Sequence, residues 1–188
     1  MRHLMTVFVL SLMVAAMVLC GCQSDAGQAS GPCDYIFTEA HLAQEMTYEF
    51  VFHDEKVFVK IAKFPGDVDQ RYYLVNQLPS ELRQLVTHWT TRKAEMRPPY
   101  VPEGLAWSIH HVPRTSPESG EMRDFKSGNK DLLKFRETIV AHVATEENEI
   151  LSPPEWVTKI WKNEEIMIQA SIDALHRKLD KSSRSNGP

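Results

Sequence analysis

Acid–base or metal chemistry in this chain would have to draw on seven histidines beyond the first turn of sequence: His41, His53, His88, His110, His111, His142 and His176. His110 and His111 are adjacent, so on a strand they point to opposite faces and cannot share one site. No His-x-x-x-His and no Cys-x-x-Cys occurs, so the common zinc spacings are missing. Asp67 and Asp69 lie in a glycine-containing turn that starts like a calcium loop. The loop's third acid, its sixth-position glycine and its closing Glu are absent. There is no Gly-x-Ser-x-Gly elbow, no Ser-x-x-Lys and no phosphate-cradling glycine loop. The sequence therefore assigns no catalytic residue, no metal ligand and no cofactor. The enzymatic alternative is a small hydrolase or metal-dependent enzyme using His110 or His111 with a carboxylate from the 53–55 turn.

Aromatic side chains could instead carry recognition, because Trp and Tyr dominate binding hot spots. Most of them fall on inward faces of the expected elements. Trp156 and Trp161 in the last helix, and Tyr100 among Pro98, Pro99 and Pro102, are the candidates for a partner-binding surface.

The elements that must position these residues follow from apolar periodicity. Regular alternation begins at Met46, where Met46, Tyr48, Phe50 and Phe52 share a strand face. It resumes over Val57 to Phe64 after the polar break His53-Asp54-Glu55-Lys56, giving a hairpin. Arg71 to Val75 reads as a third strand, Leu105 to Val112 as a fourth and Glu121 to Lys126 as a fifth. Apolar residues at three- and four-residue spacing predict helices over 80–94, with Ser80 as its cap, over 130–144 and over 154–179. The last helix carries Trp156, Ile160 and Met167 with Trp161, Ile166, Ile168 and Ile172 beside them. It is greasier than one core-facing stripe requires. Either the domain wraps it on two sides or it presents a patch to a partner.

The chain starts with a short basic segment, Arg2-His3, and an apolar run from Leu4 to Leu19 that ends in Leu19-Cys20-Gly21-Cys22. That layout fits an export signal with a small residue at its cut site. The tetrapeptide resembles the lipobox of bacterial lipoprotein signals, although Cys20 stands where Ala, Ser or Thr is commoner. The resemblance implies lipid attachment at Cys22, and Gln23 after it implies the outer membrane. An unlipidated secretory signal and a membrane-spanning helix are the other readings. The run is slightly short of the roughly 20 apolar residues a span needs, and no Lys or Arg follows it closely.

On this reading residues 1–21 are the signal, 22–33 a lipidated flexible tether, 34–180 one domain and 181–188 a disordered tail. Loss of the signal removes one formal charge, Arg2, and takes the net charge from −4 to −5. Acidic and basic residues are interspersed without a basic stripe, so nucleic acid is not an expected partner. The tether's ten residues Gln23 to Pro32 span at most about 35 Å, which keeps the domain near the bilayer. Cys33 is left as a single thiol.

The expected fold is α+β, an antiparallel sheet of four to five strands with three helices covering one face. The expected protein is exported and held to a membrane by its N-terminal lipid, with the domain in the periplasm or on the cell surface. Its expected role is a non-catalytic binding or interaction module with an envelope protein as possible partner. Carriage of a small apolar ligand is a further alternative.

Overall fold

The computed structural model describes residues 32–41, 45–63, 68–92, 105–125 and 130–185. The fold is α+β, built on one antiparallel sheet. Its strands in chain order are β1 (Cys33–His41), β2 (Met46–His53), β3 (Lys56–Lys63), β4 (Val68–Val75), β5 (Leu105–Pro113), β6 (Glu121–Phe125) and β7 (Glu149–Ile150). Its helices are α1 (Ser80–Thr91), α2 (Lys130–Val143) and α3 (Glu155–Ser185). The spatial order is β6-β5-β1-β2-β3-β4-β7.

The sheet is larger than the sequence indicated, and β1 explains most of the difference. β1 lies between β2 and β5, pairing Phe37 with Phe50 on one side and with Ile109 on the other. Its residues alternate Asp34, Ile36, Thr38, Ala40 against Tyr35, Phe37, Glu39. Both faces mix polar and apolar types, so no period of two stands out. Ile36 and Phe37 are nevertheless both fully buried, on opposite faces.

That two-sided burial also corrects the expectation of helices on a single face. Phe37, Phe50, Val59, Trp107, Ile109 and Phe125 pack with Leu82, Val86 and Trp89 of α1 and with Leu132, Phe135, Ile139 and Val143 of α2. The other face, Ile36, Val51, Phe58 and Val112, is covered by Val157, Ile160 and Met167 of α3. The strands of the middle of the sheet need apolar residues at successive positions, as Phe50-Val51-Phe52 and Val57-Phe58-Val59 supply. Among the described residues no cap bond comes from Ser80, which is the first residue of α1 and follows Pro79. The end of α1 is instead closed by a residue distant in sequence. Arg123 Nη1 on β6 donates to the carbonyls of Thr90 and Arg92, at 3.0 and 2.9 Å.

α3 crosses its face toward β5 and the 3-10 turn Pro117–Ser119, and its contact there depends on Gly120. A Cβ at Gly120 would lie 2.6 Å from the His111 carbonyl oxygen and 2.6 Å from Met167 Sδ. The methionine can yield but the carbonyl belongs to the sheet. Gly120→Ala is expected to cost about 1–3 kcal/mol, seen as a lower urea midpoint with faster amide exchange around Met167. Unchanged exchange in α3 would contradict the contact.

Candidate functional site

The chemistry-bearing side chains that the fold brings together lie between the sheet and α3. Ser108 and His110 are two residues apart on β5 and therefore share a face. Thr38 opposes Ser108 across the β1–β5 ladder. From the far side α3 lowers Glu164 onto the pair. The resulting chain of bonds runs Thr38 Oγ1 to Ser108 Oγ (2.6 Å), Ser108 Oγ to His110 Nε2 (3.0 Å), and His110 Nδ1 to Glu164 Oε1. A carboxylate accepts, so His110 donates from Nδ1–H to Glu164, and in the neutral imidazole Nε2 is then the acceptor facing Ser108 Oγ. When Ser108 donates to that nitrogen, its oxygen accepts from Thr38. Hydroxyl, imidazole and carboxylate thus stand in the order of a nucleophile, its base and the group that orients the base.

Burial limits what that order can do. Ser108 is 5% exposed and His110 4% exposed. A substrate carbonyl would need to approach the serine oxygen, yet α3 covers this face and the Thr38 hydroxyl holds that oxygen. The relay therefore ties α3 to the middle of the sheet.

Two further links fasten the same helix. Trp161 donates from Nε1 to Glu49 Oε1 on β2, and its ring meets Phe58 edge-on at 5.8 Å. Trp156 stacks on His53 at 5.3 Å and 25°. His53 also joins a polar cluster at the end of the sheet, where its Nδ1 lies 2.8 Å from buried Asp34. Arg114 donates to Asp34 (2.8 Å) and to Asp54 (2.7 Å). The Arg114 bond holds the exposed Asp54 carboxyl below its ordinary range.

The opposite face carries a second buried polar group. Glu39 on β1 is 1% exposed, and Arg136 of α2 donates to its Oε1 at 3.0 Å. Among the described residues, Glu39 Oε2 and the Nε1 of Trp107, the residue opposite it on β5, have no hydrogen-bond partner. Burial pushes the Glu39 carboxyl up to about 7, against the opposing pull of Arg136. His111 points to this face as well, edge-on to Tyr35 at 5.0 Å. Burial, followed by the nearby Arg123 cation, pulls its imidazole down to about 4.

The sequence-derived candidates are thus distributed as follows. His110 and His111 do separate to opposite faces. The carboxylate that meets His110 is Glu164 of α3, not one from the 53–55 turn, whose Asp54 pairs with Arg114. Trp156 and Trp161 are half-buried at the seam of α3 and the sheet. Cys22 and Tyr100 lie outside the described residues. Among the described residues no group of three or more His, Cys, Asp and Glu is placed to hold a metal ion. Sequence reasoning passed over Ser108, Glu164, Glu39 and Arg136. The signal for Glu164 was its position in the row Val157, Ile160, Glu164, Met167, where an acid shares the buried side of the helix.

Comparison of the chain with protein-family models, curated proteins and solved structures finds no match.

Proposed function

We propose that this protein is a lipid-anchored component of a bacterial cell envelope whose folded domain is a non-catalytic interaction module. The anchor reading rests on Leu19-Cys20-Gly21-Cys22. The interaction reading is carried by one observation on α3. The buried row Val157, Ile160, Glu164, Met167 ends at Ser171, which continues the row but is exposed, while the helix runs on to Ser185. From Ser171 to Asp180 no residue of the helix is fully buried, and that stretch carries apolar residues. Ile172 and Leu175 are partly exposed and Leu179 is 53% exposed.

The test is affinity recovery of tagged full-length protein from crosslinked membranes, beside Leu179→Glu and Cys22→Ser. The reading expects one protein species in near-equal amount with the wild type and its loss with Leu179→Glu. It also expects Cys22→Ser to leave the membrane fraction and to lose label from a fatty-acid analogue. Equal recovery with Leu179→Glu contradicts the interaction surface, and an unlabelled wild type contradicts the anchor.

A hydrolase is the second reading, and the Ser108–His110–Glu164 relay favours it. Reaction would require α3 to lift from the sheet. Treating the folded protein with a fluorophosphonate probe separates the two readings. The interaction module stays unlabelled, as does its Ser108→Ala variant. Labelling that Ser108→Ala removes would establish the hydrolase instead.

A further inference from the structure

Glu39 and Trp107 face each other across the β1–β5 ladder, on the side of the sheet that α1 and α2 cover. Glu39 is 1% exposed and Trp107 is fully buried. Directly opposite residues of an antiparallel pair carry their Cβ atoms about 4.5–5.5 Å apart, so the two side chains are neighbours. Tyr48 on β2 lies opposite Glu39 on its other flank. Arg136 closes the group from α2 by donating to Glu39 Oε1 at 3.0 Å.

Among the described residues this leaves Glu39 Oε2 and Trp107 Nε1 without a partner. The two are complementary, since a carboxylate oxygen accepts and an indole N–H only donates, yet they make no bond with each other. A buried donor or acceptor left unmade costs free energy. Ordered water is a common partner for such groups in native cores.

The chemistry of the two atoms selects the occupant. An anion could accept from the indole but would face the Glu39 carboxylate. A metal or ammonium cation would suit the carboxylate but would face an N–H that has no lone pair to offer. The occupant must therefore be neutral and able both to accept and to donate. Both side chains are at most 1% exposed, which restricts it to a molecule with no body beyond its polar atom. Water meets each condition, and with two lone pairs it can also accept from both sides when the carboxyl is protonated.

We propose that one water molecule is bound inside the core between Glu39 and Trp107, accepting from the indole Nε1–H and donating to Glu39 Oε2. It completes the Glu39–Arg136 pair, so that both oxygens of the buried carboxylate are engaged.

The test uses full-length protein in detergent, isotope-labelled at its tryptophan indole nitrogens. Trp107→Phe identifies the Trp107 signal as the one that disappears. Rotating-frame cross-relaxation is expected between the Trp107 Nε1–H and water, with the sign of a held molecule and not that of proton exchange. Glu39→Met with Arg136→Met replaces the ion pair by apolar side chains, a change that buried pairs often tolerate. In that double variant the water signal should be lost. Oxygen-17 relaxation dispersion should count one long-lived water fewer than in wild type. A wild-type indole proton that cross-relaxes with protein protons alone overturns the proposal. So does a water signal that survives in the double variant, or an equal water count in the two proteins.

Discussion

Replacing Arg136 by alanine is expected to cost about 3–5 kcal/mol of stability at pH 8, because it strips the partner from a carboxylate buried in the core. Glu39 is fully covered by β1, β5 and α2, and the Arg136 bond is the described contact that holds its Oε1. Arg136 also lies over the Tyr48 ring at 5.1 Å, so some of the loss is contact area and will persist at any pH. The electrostatic part will not persist. Below about pH 5 the Glu39 carboxyl, already pushed up to about 7, is protonated and needs no cation. The loss at pH 5 should therefore be under half of that at pH 8 in urea titrations. Adding Glu39→Gln to Arg136→Ala should recover most of the pH 8 loss. An equal loss at both pH values would show that Arg136 acts through packing alone.

The second large effect is a pair of opposed titrations. Glu39 has its folded-state value raised from 4.5 to about 7. Its contribution is fully present below pH 4.5 and is lost as pH rises through 7, by about 3 kcal/mol. His111 has its value lowered from 6.5 to about 4. Its contribution is fully present above pH 6.5 and is lost as pH falls through 4, by a similar amount. The two windows overlap between about pH 4.5 and 6.5, and there the slopes cancel. Wild-type stability should accordingly be nearly level across that interval. Glu39→Gln should uncover the His111 slope, with stability falling by about 1.4 kcal/mol for each unit of acidification. His111→Phe keeps the edge contact with Tyr35, removes the orphaned Nε2, and should uncover the opposite slope. Parallel profiles for the two variants would contradict the assignment.

Much of the frame could be read from the chain before folding. The helices α1 and α2 announce themselves because each has one apolar face and one polar face, and β2, β3 and β5 because one face of each carries an unbroken apolar row. β1 does not. A strand covered on both sides has no polar face to alternate with, and Asp34, Thr38 and Glu39 further blur it with polar groups whose partners lie far away in sequence. The site failed to show for the same reason. Glu164 and His110 are 54 residues apart, and Glu39 and Arg136 are 97 apart. No local spacing records such a meeting. What the sequence does record is an acid lodged in an apolar row: Glu39 beside Tyr35 and Phe37, Glu164 between Ile160 and Met167. Each of those acids found a cationic or imidazole partner on the element packed against it. The excess apolar surface of the last helix was also legible, and its two uses divide by position. The proximal half, with Trp156 and Trp161, covers the second sheet face. The distal half carries no fully buried residue from Ser171 to Asp180, and the helix runs on to Ser185, beyond the predicted end at Leu179.

The central claim is that the distal half of α3 is a contact surface in the envelope. Incorporating a photo-crosslinking amino acid at Leu179, and separately at the exposed Thr158 over the folded domain, tests it in intact cells. The account predicts one discrete adduct from position 179 in the membrane fraction, and none from position 158. No adduct from 179, or the same diffuse set from both positions, would contradict it.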